Sequence, residues 1–276
     1  MRAFSKDAVR PEVRSLRAYD LAKEASGPLV AKLDFNESPY DVPAEIKEAV
    51  LANLKERLWS RYPEFGAPRL KAAIANAISR RPEEVVVGNG SGELLLAAIS
   101  VFSGGGGGTL ALAVPTFSLY GQMAAIAGAR RVDVVRKGDE FAVDEAALLA
   151  ACEDGRTVPL LCSPNNPTGG VVSLAFVKRL GERAPVVLLD QAYVDFARPE
   201  NDALSLLDAV PNLVVFRTLS KAYSAAGFRI GYAAASVELA RELGKAVLPF
   251  SVDHAAEELA LALLERRAMF ADTVAT

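Results

Sequence analysis

Cysteine and histidine are scarce in this sequence of 276 residues, which has two cysteines and one histidine. Cys152 and Cys162 are too few for a disulfide framework in a chain of this length, and they predict a reducing, cytoplasmic location. The one histidine, His254, stands at the start of a helical pattern, where a solvated side chain is the usual case. A metal site or a Ser-His-Asp triad would have to rest on this residue alone, so we expect neither.

An excess of one charge and long apolar runs are also missing. The 34 acidic residues nearly balance the 31 basic ones, for a formal net charge of −3, and no basic tract stands out. These features argue against nucleic acid or an anionic membrane as the main partner. The sequence contains no run of about 18 apolar residues, so it predicts no transmembrane helix. Residues 1–17 lack the apolar core of a signal peptide.

From residue 84 onward, short apolar strands alternate with helical patterns. Strands that are apolar on both faces are typical of a largely parallel sheet covered by helices on each side, so the sequence predicts an α/β fold. Amphipathic helices beginning at Pro43 and Pro68 precede the sheet, and helices at 237–247 and 253–270 follow it. The predicted strands are 85–87, 110–114, 132–135, 158–162, 186–189, 213–216 and 230–235.

Four predicted strands end in residues suited to chemistry, and the carboxyl ends of parallel strands meet at the edge of the sheet where ligands bind. These segments are 88–93, 163–170, 190–193 and 218–229. The first is rich in glycine and precedes a helix, whose free N–H groups can bind phosphate. It lacks both the third glycine of a dinucleotide fingerprint and the Gly-Lys-Ser/Thr ending of a P-loop. A tight turn between strand and helix explains it about as well.

Lys221 and Asp190 each follow a strand that we expect to be buried. Burial destabilises an ammonium ion, so a neutral, nucleophilic amine becomes accessible at Lys221, beside an arginine, Arg229, that could hold a phosphate. A carboxylate such as Asp190 is costly to bury unless it meets a cation. Taken singly, each residue has an ordinary alternative: a solvated surface charge for the lysine and the arginine, a helix cap for the aspartate.

Three strings taken together resemble the signature of fold-type I, pyridoxal-phosphate-dependent aminotransferases. They are Ser-Pro-Asn-Asn-Pro-Thr-Gly from residue 163, Asp190-x-Ala-Tyr193, and Ser-Lys221 followed by Arg229-Ile-Gly-Tyr, and they occur in that order and spacing. The flanking strings are similar to those of histidinol-phosphate aminotransferases; they lie at 33–39, 61–63, 88–91, 115–120, 193–196 and 248–250. The resemblance runs from about residue 30 to the last residue.

The resemblance implies pyridoxal 5′-phosphate (PLP) as the cofactor and a role for each matching residue. Lys221 would bond to the cofactor aldehyde and later move a proton, while Asp190 would pair with the pyridine nitrogen. Tyr193 and Asn166 would hydrogen-bond the phenolic oxygen, and Tyr120 would stack on the ring face. The phosphate would be held by Thr218, Ser220 and Arg229 and by the backbone around Ser91, Gly92 and Glu93.

The resemblance also implies a reaction and an assembly. The reaction is transfer of an amino group from L-histidinol phosphate to 2-oxoglutarate, giving imidazole acetol phosphate and glutamate in histidine biosynthesis. The enzyme would be a cytoplasmic homodimer in which Tyr62 reaches the phosphate of the neighbouring subunit. Residues 1–42 would form an N-terminal arm and part of a small domain, and residues 43–276 the PLP-binding large domain.

Two features depart from the family pattern. Gln191 replaces the usual glutamate, and we expect its side chain to point away from the ring because neighbouring strand residues alternate. The sequence stops at Thr276, before the region in which the family carries a small domain and the arginine for the substrate's acidic group. We expect the two arginines nearest the end, Arg266 and Arg267, to be surface charges, so this arginine is missing from the sequence.

Three alternatives follow from these departures. The first is another fold-type I enzyme, such as an aromatic or other amino-acid aminotransferase or a threonine-phosphate decarboxylase. The second is a shortened module that binds PLP with little turnover. The third is a nucleotide-binding α/β protein that uses the glycine-rich turn, but it leaves Asp190, Asn166 and Lys221 without a role.

Overall fold

A computed structural model describes residues 5–17, 31–105 and 107–275. Its centre is one sheet of seven strands. The strands are β1 (Val85–Asn89), β2 (Thr109–Val114), β3 (Arg130–Val135), β4 (Thr157–Cys162), β5 (Val187–Asp190), β6 (Leu213–Thr218) and β7 (Ile230–Ala235). Their order across the sheet is β1-β7-β6-β5-β4-β2-β3.

The sheet is mostly parallel, as the alternation of strands and helices predicts. Strands β6, β5, β4, β2 and β3 pair in parallel, and only β7 runs antiparallel to its neighbours β1 and β6. Near the start of β7, a Cβ atom at Gly231 would overlap the backbone of Gly90 and Ser91. The missing side chain therefore lets β7 approach the helix that follows β1.

Ten helices surround the sheet in the described part of the chain. They are α1 (Pro11–Arg14), α2 (Ala44–Lys55), α3 (Pro68–Ala77), α4 (Gly90–Phe102), α5 (Leu119–Ala127), α6 (Glu145–Ala151), α7 (Leu174–Gly181), α8 (Val237–Gly244), α9 (His254–Glu265) and α10 (Ala271–Ala275). Short 3₁₀ helices lie at Lys6–Ala8, Pro82–Glu84, Val194–Phe196, Pro199–Asn201, Ala203–Leu206, Ala226–Phe228 and Arg267–Phe270.

Side-chain caps fix where several of these helices begin. Asp144, Ser173, Ser236 and Asp253 each accept a hydrogen bond from a backbone amide in the first turn of α6, α7, α8 and α9 respectively. Such caps satisfy amides that have no partner inside the helix. The helix predicted at 253–270 is in fact shorter, because α9 ends at Glu265 and the 3₁₀ turn at Arg267–Phe270 follows.

At residues 88–93 the structure differs more from the prediction, which is a turn between strand and helix. Strand β1 continues to Asn89, and α4 starts at the next residue, Gly90, whose φ of 76° is a conformation that favours glycine. The Glu93 carboxylate accepts a hydrogen bond of 2.6 Å from the Asn89 amide. This bond closes the junction, so the first turn of α4 comes directly to the edge of the sheet.

Both faces of the sheet are buried. One apolar cluster joins it to α4, α5 and α8, and includes the fully buried Leu94 and Phe216. Two further clusters join it to α2, α3 and α9 and to α6 and α7, where Phe176 is fully buried. Truncating such a side chain to alanine typically costs about 3–5 kcal/mol. In the described residues, no helix has both the length and the apolar character needed to cross a membrane.

Candidate active site

A cavity of about 580 Å³ lies at the carboxyl ends of β4, β5 and β6. Strand register explains the convergence, since Cys162, Asp190 and Phe216 are neighbours across three parallel strands. Of the residues proposed from sequence, ten line this cavity: Ser91, Gly92, Tyr120, Asn166, Asp190, Tyr193, Thr218, Ser220, Lys221 and Arg229. Glu93 and Tyr62 do not.

Lys221 lies on the wall of the cavity. Lys221 Nζ donates a hydrogen bond of 2.7 Å to the carbonyl of Phe35 and lies 5.6 Å from the centre of the Tyr193 ring. Partial burial lowers the pKa of Lys221 below its usual value; the charges of Glu37 and Asp190 oppose this and that of Arg229 adds to it. A lowered pKa makes the neutral amine, which is the nucleophilic form, more accessible.

The carboxylate of Asp190 is held at the floor of the cavity. Its Oδ2 accepts a hydrogen bond of 2.7 Å from the Tyr120 hydroxyl, and its Oδ1 accepts one of 2.9 Å from the Ala192 amide. Burial raises the pKa of Asp190 against these hydrogen bonds and the more distant charge of Lys221. Within the described part of the chain, no cation forms a salt bridge with Asp190. A buried carboxylate in this state favours a cationic partner from a ligand.

Tyr120 lies in a different position from the one expected for a residue that stacks on a cofactor ring. Its side chain is fully buried in the first turn of α5, and its hydroxyl is engaged by Asp190. Phe117 packs edge-on against it, with ring centres 5.4 Å apart and an angle of 84° between the planes. Phe117 is only partly buried and lines the cavity. Sequence reasoning missed Phe117 although it belongs to the same string, 115–120.

Two amides converge on the hydroxyl of Tyr193. Asn166 Nδ2 donates to it at 3.4 Å, as the sequence suggests, and Asn36 Nδ2 donates at 3.1 Å. Burial raises the pKa of Tyr193, while the hydrogen bond from Asn36 opposes the shift. Asn36 was not assigned a role from sequence. Asn36 belongs to string 33–39, which carries part of the family resemblance. The spacing of that string does not show that its residues contact Tyr193, which is far away in the sequence.

At the other end of the cavity, several groups form a cradle suited to an anion. Ser91 and Gly92 line it from the first turn of α4, whose amides point outward. Arg229 Nη1 donates to the Ser220 hydroxyl at 3.2 Å, and no carboxylate among the described residues pairs with this arginine. A Cβ atom at Gly90 would overlap the Arg229 guanidinium. Glycine is therefore needed there for the arginine to lie over the start of the helix.

The side chains of Thr218 and Glu93, two residues expected at the phosphate, also make contacts within the protein that support this cradle. The Thr218 hydroxyl donates to the Ile230 carbonyl at 3.0 Å and lies 2.9 Å from the Ser220 hydroxyl, so it positions the serine. The Glu93 side chain holds the Asn89 amide. A carboxylate in this position strengthens the junction between strand and helix.

Gln191 points away from the cavity, which confirms the expectation from strand alternation. Its amide oxygen accepts hydrogen bonds of 3.1 Å from both the Ala203 amide and Arg217, and its amide nitrogen donates to the Asn201 carbonyl at 2.7 Å. The replacement of the family's glutamate by Gln191 therefore changes hydrogen bonds to Asn201, Ala203 and Arg217, outside the cavity.

Tyr62 lies outside the cavity of its own chain. Its side chain is 79% exposed and stacks on Phe250 with ring centres 4.6 Å apart. Phe65 meets the same phenylalanine edge-on at 6.0 Å. We call Tyr62, Phe65 and Phe250 the aromatic cluster. An exposed group of this kind is typical of a surface that contacts another molecule.

The shape and donor set of the cavity fit PLP. The unpaired buried carboxylate of Asp190 suits a protonated pyridine nitrogen, and the hydroxyl of Tyr193 suits a phenolic oxygen. The cradle around Arg229 and the start of α4 suits a phosphate, and the amine of Lys221 lies on the same cavity wall. These features define the class: the fold is type I of the PLP-dependent enzymes.

Comparison with known proteins makes the assignment specific. The chain belongs to the class I and II aminotransferase family, which residues 29–276 match. It is 40% identical over 261 residues to the histidinol-phosphate aminotransferase of Gloeobacter violaceus, covering 94% of this chain and 72% of that protein. It is 37% identical over 268 residues to the enzyme of the same name from Chlorobaculum tepidum, covering 96% and 76%.

A solved structure supports the fold over nearly the whole chain. The histidinol-phosphate aminotransferase of Sinorhizobium meliloti, solved in complex with pyridoxal-5′-phosphate, superposes with a TM-score of 0.86 at 25% identity. The match covers 99% of this chain and 74% of that one.

Proposed function

We propose that this chain binds PLP and transfers the amino group of L-histidinol phosphate to 2-oxoglutarate, as part of histidine biosynthesis. The observation that carries the proposal is that the Lys221 amine, the Asp190 carboxylate and the Arg229 guanidinium line one cavity. The names of the Gloeobacter and Chlorobaculum relatives support the choice of amino donor.

When bound, PLP supplies an aldehyde that bonds to amines and a ring that accepts electrons. The Lys221 amine would hold the cofactor through its aldehyde, and once a substrate amine had taken its place it would be positioned to accept or donate a proton at the substrate Cα. The lowered pKa of Lys221 serves both roles, because only the neutral amine attacks an aldehyde or accepts a proton.

Asp190 keeps the pyridine nitrogen protonated, because an ionised carboxylate in a buried site favours a proton on its partner. Tyr120 orients this carboxylate through its hydrogen bond of 2.7 Å. Phe117 would replace Tyr120 as the aromatic face against the ring, since of the two aromatic residues in string 115–120 it is the one that is partly exposed. Tyr193, with the amides of Asn166 and Asn36, holds the phenolic oxygen.

The substrate enters from an adjoining cavity of about 1090 Å³. Asn36, Asn166, Tyr193 and Lys221 line both cavities, so an amine entering from this side meets Lys221. Arg198 lies on the wall of this outer cavity, where it is 3.9 Å from Glu200. The phosphate of the substrate would compete with Glu200 for this arginine.

The assembly we propose is a cytoplasmic homodimer. The aromatic cluster would meet the partner, and Tyr62 would reach the phosphate cradle of the other subunit. The grouping of Tyr62, 79% exposed, with Phe65 and Phe250 supports this, because protein interfaces are enriched in aromatic residues. The proposed N-terminal arm, residues 1–42, lies partly outside the described residues, since 1–4 and 18–30 are not described. Its described end supports an arm packed on the large domain of residues 43–276, because Phe35 and Asn36 bond to residues of the cavity.

Kinetics with a panel of amino donors tests the reaction. We expect L-histidinol phosphate with 2-oxoglutarate to give the highest kcat/KM, and glutamate to form in equal amount to the imidazole product. Faster turnover of an aromatic amino acid, or release of carbon dioxide from threonine phosphate, would favour another enzyme of the same fold. A yellow protein that takes an amino group from no donor would favour a module that binds PLP without turnover.

A further inference from the structure

Apart from the cavity around Lys221 and the outer cavity next to it, a cavity of about 740 Å³ lies on the other side of the Thr218 segment from the phosphate cradle. We call it the second cavity. Thr218 lines both this cavity and the one around Asp190, whereas Lys221, Asp190 and Arg229 do not line this one. The second cavity is bounded by β6, β7, the end of α3 and the segment 199–208. Its volume is in the range of about 300–1,000 Å³ that is usual for sites of small molecules.

Most of the charged side chains in this second cavity are paired with each other. Arg217 meets Asp202 at 2.6 Å, and Arg80 meets Asp208 at 2.6 Å. Two lining charges have no opposite charge within salt-bridge distance among the described residues, namely Asp195 and Arg267. Arg267 donates only to a backbone carbonyl, that of Ala77, at 2.9 Å. The cavity wall therefore carries one spare negative charge and one spare positive charge.

Two tyrosines line the space together with these spare charges. Tyr232 is only 7% exposed, yet its hydroxyl has no hydrogen-bond partner in the part of the chain that the structure describes. The hydroxyl of Tyr223 is in the same situation. Neither hydroxyl is among the buried side-chain atoms without a partner, so both are open to the cavity, where a bound ligand can hydrogen-bond with them.

The electrostatics of the cavity agree with a site that is built for a ligand. Burial raises the pKa of Asp195, although the charge of Arg217 opposes the shift. Burial likewise raises the pKa of Tyr223 and Tyr232. Several perturbed groups around one cavity are a common mark of a functional site.

We propose that the second cavity binds a small zwitterion with one ammonium group and one carboxylate, the chemistry of a free amino acid. The ammonium group meets Asp195 and the carboxylate meets Arg267, with the hydroxyls of Tyr223 and Tyr232 as further partners. A neutral zwitterion matches the two spare charges, whereas a simple anion or cation leaves one of them unpaired. This site is distinct from the amino-donor site, because none of its four residues lines either of the cavities around Lys221.

Isothermal titration of the holoenzyme with the proteinogenic L-amino acids tests the proposal, after borohydride has fixed the cofactor and stopped turnover. We expect at least one amino acid to bind, and its N-acetyl and carboxamide derivatives to bind about tenfold more weakly or worse. Asp195→Asn and Arg267→Gln should each weaken binding by a similar factor. Glu140→Gln, which removes an exposed carboxylate outside all of these cavities, should change nothing.

Arg267 is exposed, so its substitution keeps the test valid even where Asp195→Asn unfolds the protein. Failure of every amino acid to bind would overturn the proposal. Binding that Arg267→Gln leaves unchanged would also overturn it, because Arg267 would then not be a contact. Binding that is lost on Tyr193→Phe would place the ligand in the donor site instead.

Discussion

The Tyr120 hydroxyl lies 2.7 Å from Oδ2 of Asp190, and both side chains are buried. This contact ties the helix after β2 to the end of β5. It also fixes the plane of the carboxylate, because the second oxygen is bound to the Ala192 amide. The protein's own groups therefore orient the carboxylate that we assign to the pyridine nitrogen, which is the preorganisation that catalytic sites need.

We predict that Tyr120→Phe weakens PLP binding by about tenfold, because a hydrogen bond to a charged group contributes about 1.5–3 kcal/mol. The aromatic ring remains, so the packing against Phe117 is kept. Equilibrium titration with PLP measures the effect. Tyr223→Phe is the matched control, since Tyr223 lines neither cavity beside Lys221, and it should leave PLP affinity unchanged. Equal affinities for the two variants would contradict the role of Tyr120.

Asp190→Asn should raise the melting temperature of the protein without PLP and lower it, relative to the wild type, when PLP is bound. Burial raises the pKa of Asp190 in the folded protein, so its ionised form costs stability at any pH above that raised pKa. The asparagine is neutral, and we expect the cofactor-free variant to have a higher Tm than the cofactor-free wild type at pH 7. The difference should shrink as the pH falls towards the ordinary value of 3.8.

Added PLP should reverse this order, because ligand binding stabilises the wild type more than a variant that has lost the pairing carboxylate. Thermal melts of both proteins, with and without PLP, decide the matter. A cofactor-free variant that melts below the wild type would show that the buried charge is already compensated.

Lys221 should react with the cofactor aldehyde at a pH lower than free lysine requires. Burial lowers its pKa from the ordinary 10.5, so the neutral amine is present over a wider range of pH. The rate of PLP incorporation should rise with pH and reach its midpoint below 10.5. Stopped-flow absorbance measures this rate, with free N-acetyl-lysine as the reference. A midpoint equal to that of the reference would mean that Lys221 is solvated.

Mixed dimers test whether Tyr62 acts across the interface. We expect Tyr62→Ala and Lys221→Ala each to bind PLP poorly by themselves. After the two variants are unfolded and refolded together, half of the dimers should be mixed, and each of these contains one site with both native residues. About a quarter of the sites should then recover. No recovery would mean that Tyr62 acts within its own chain or not at all.

The main features of the site could be predicted from sequence because they depend on strand ends. Asp190 and Lys221 follow neighbouring parallel strands, and the direction of Gln191 follows from alternation along β5. The position of Tyr120 depends on how α5 is rotated over the sheet, which a short string does not encode. The contact of Asn36 with Tyr193 joins residues 157 positions apart.

The second cavity was not predictable for the same reason. Asp195, Arg217, Tyr232 and Arg267 come from four separate segments, and each has an ordinary neighbourhood in the sequence. Only the packing of α3 and the segment 199–208 against the sheet brings them to one space. A charged side chain can be identified as unpaired only after the salt bridges of the folded chain are known.

The most direct test of the account is to identify the residue that carries the cofactor. The purified chain is incubated with PLP, reduced with borohydride and digested, and the peptides are analysed by mass spectrometry. We predict one phosphopyridoxyl group, on Lys221, and its loss in the Lys221→Ala variant. Modification of another lysine in its place, or no modification at all, would contradict the assignment of this cavity to PLP.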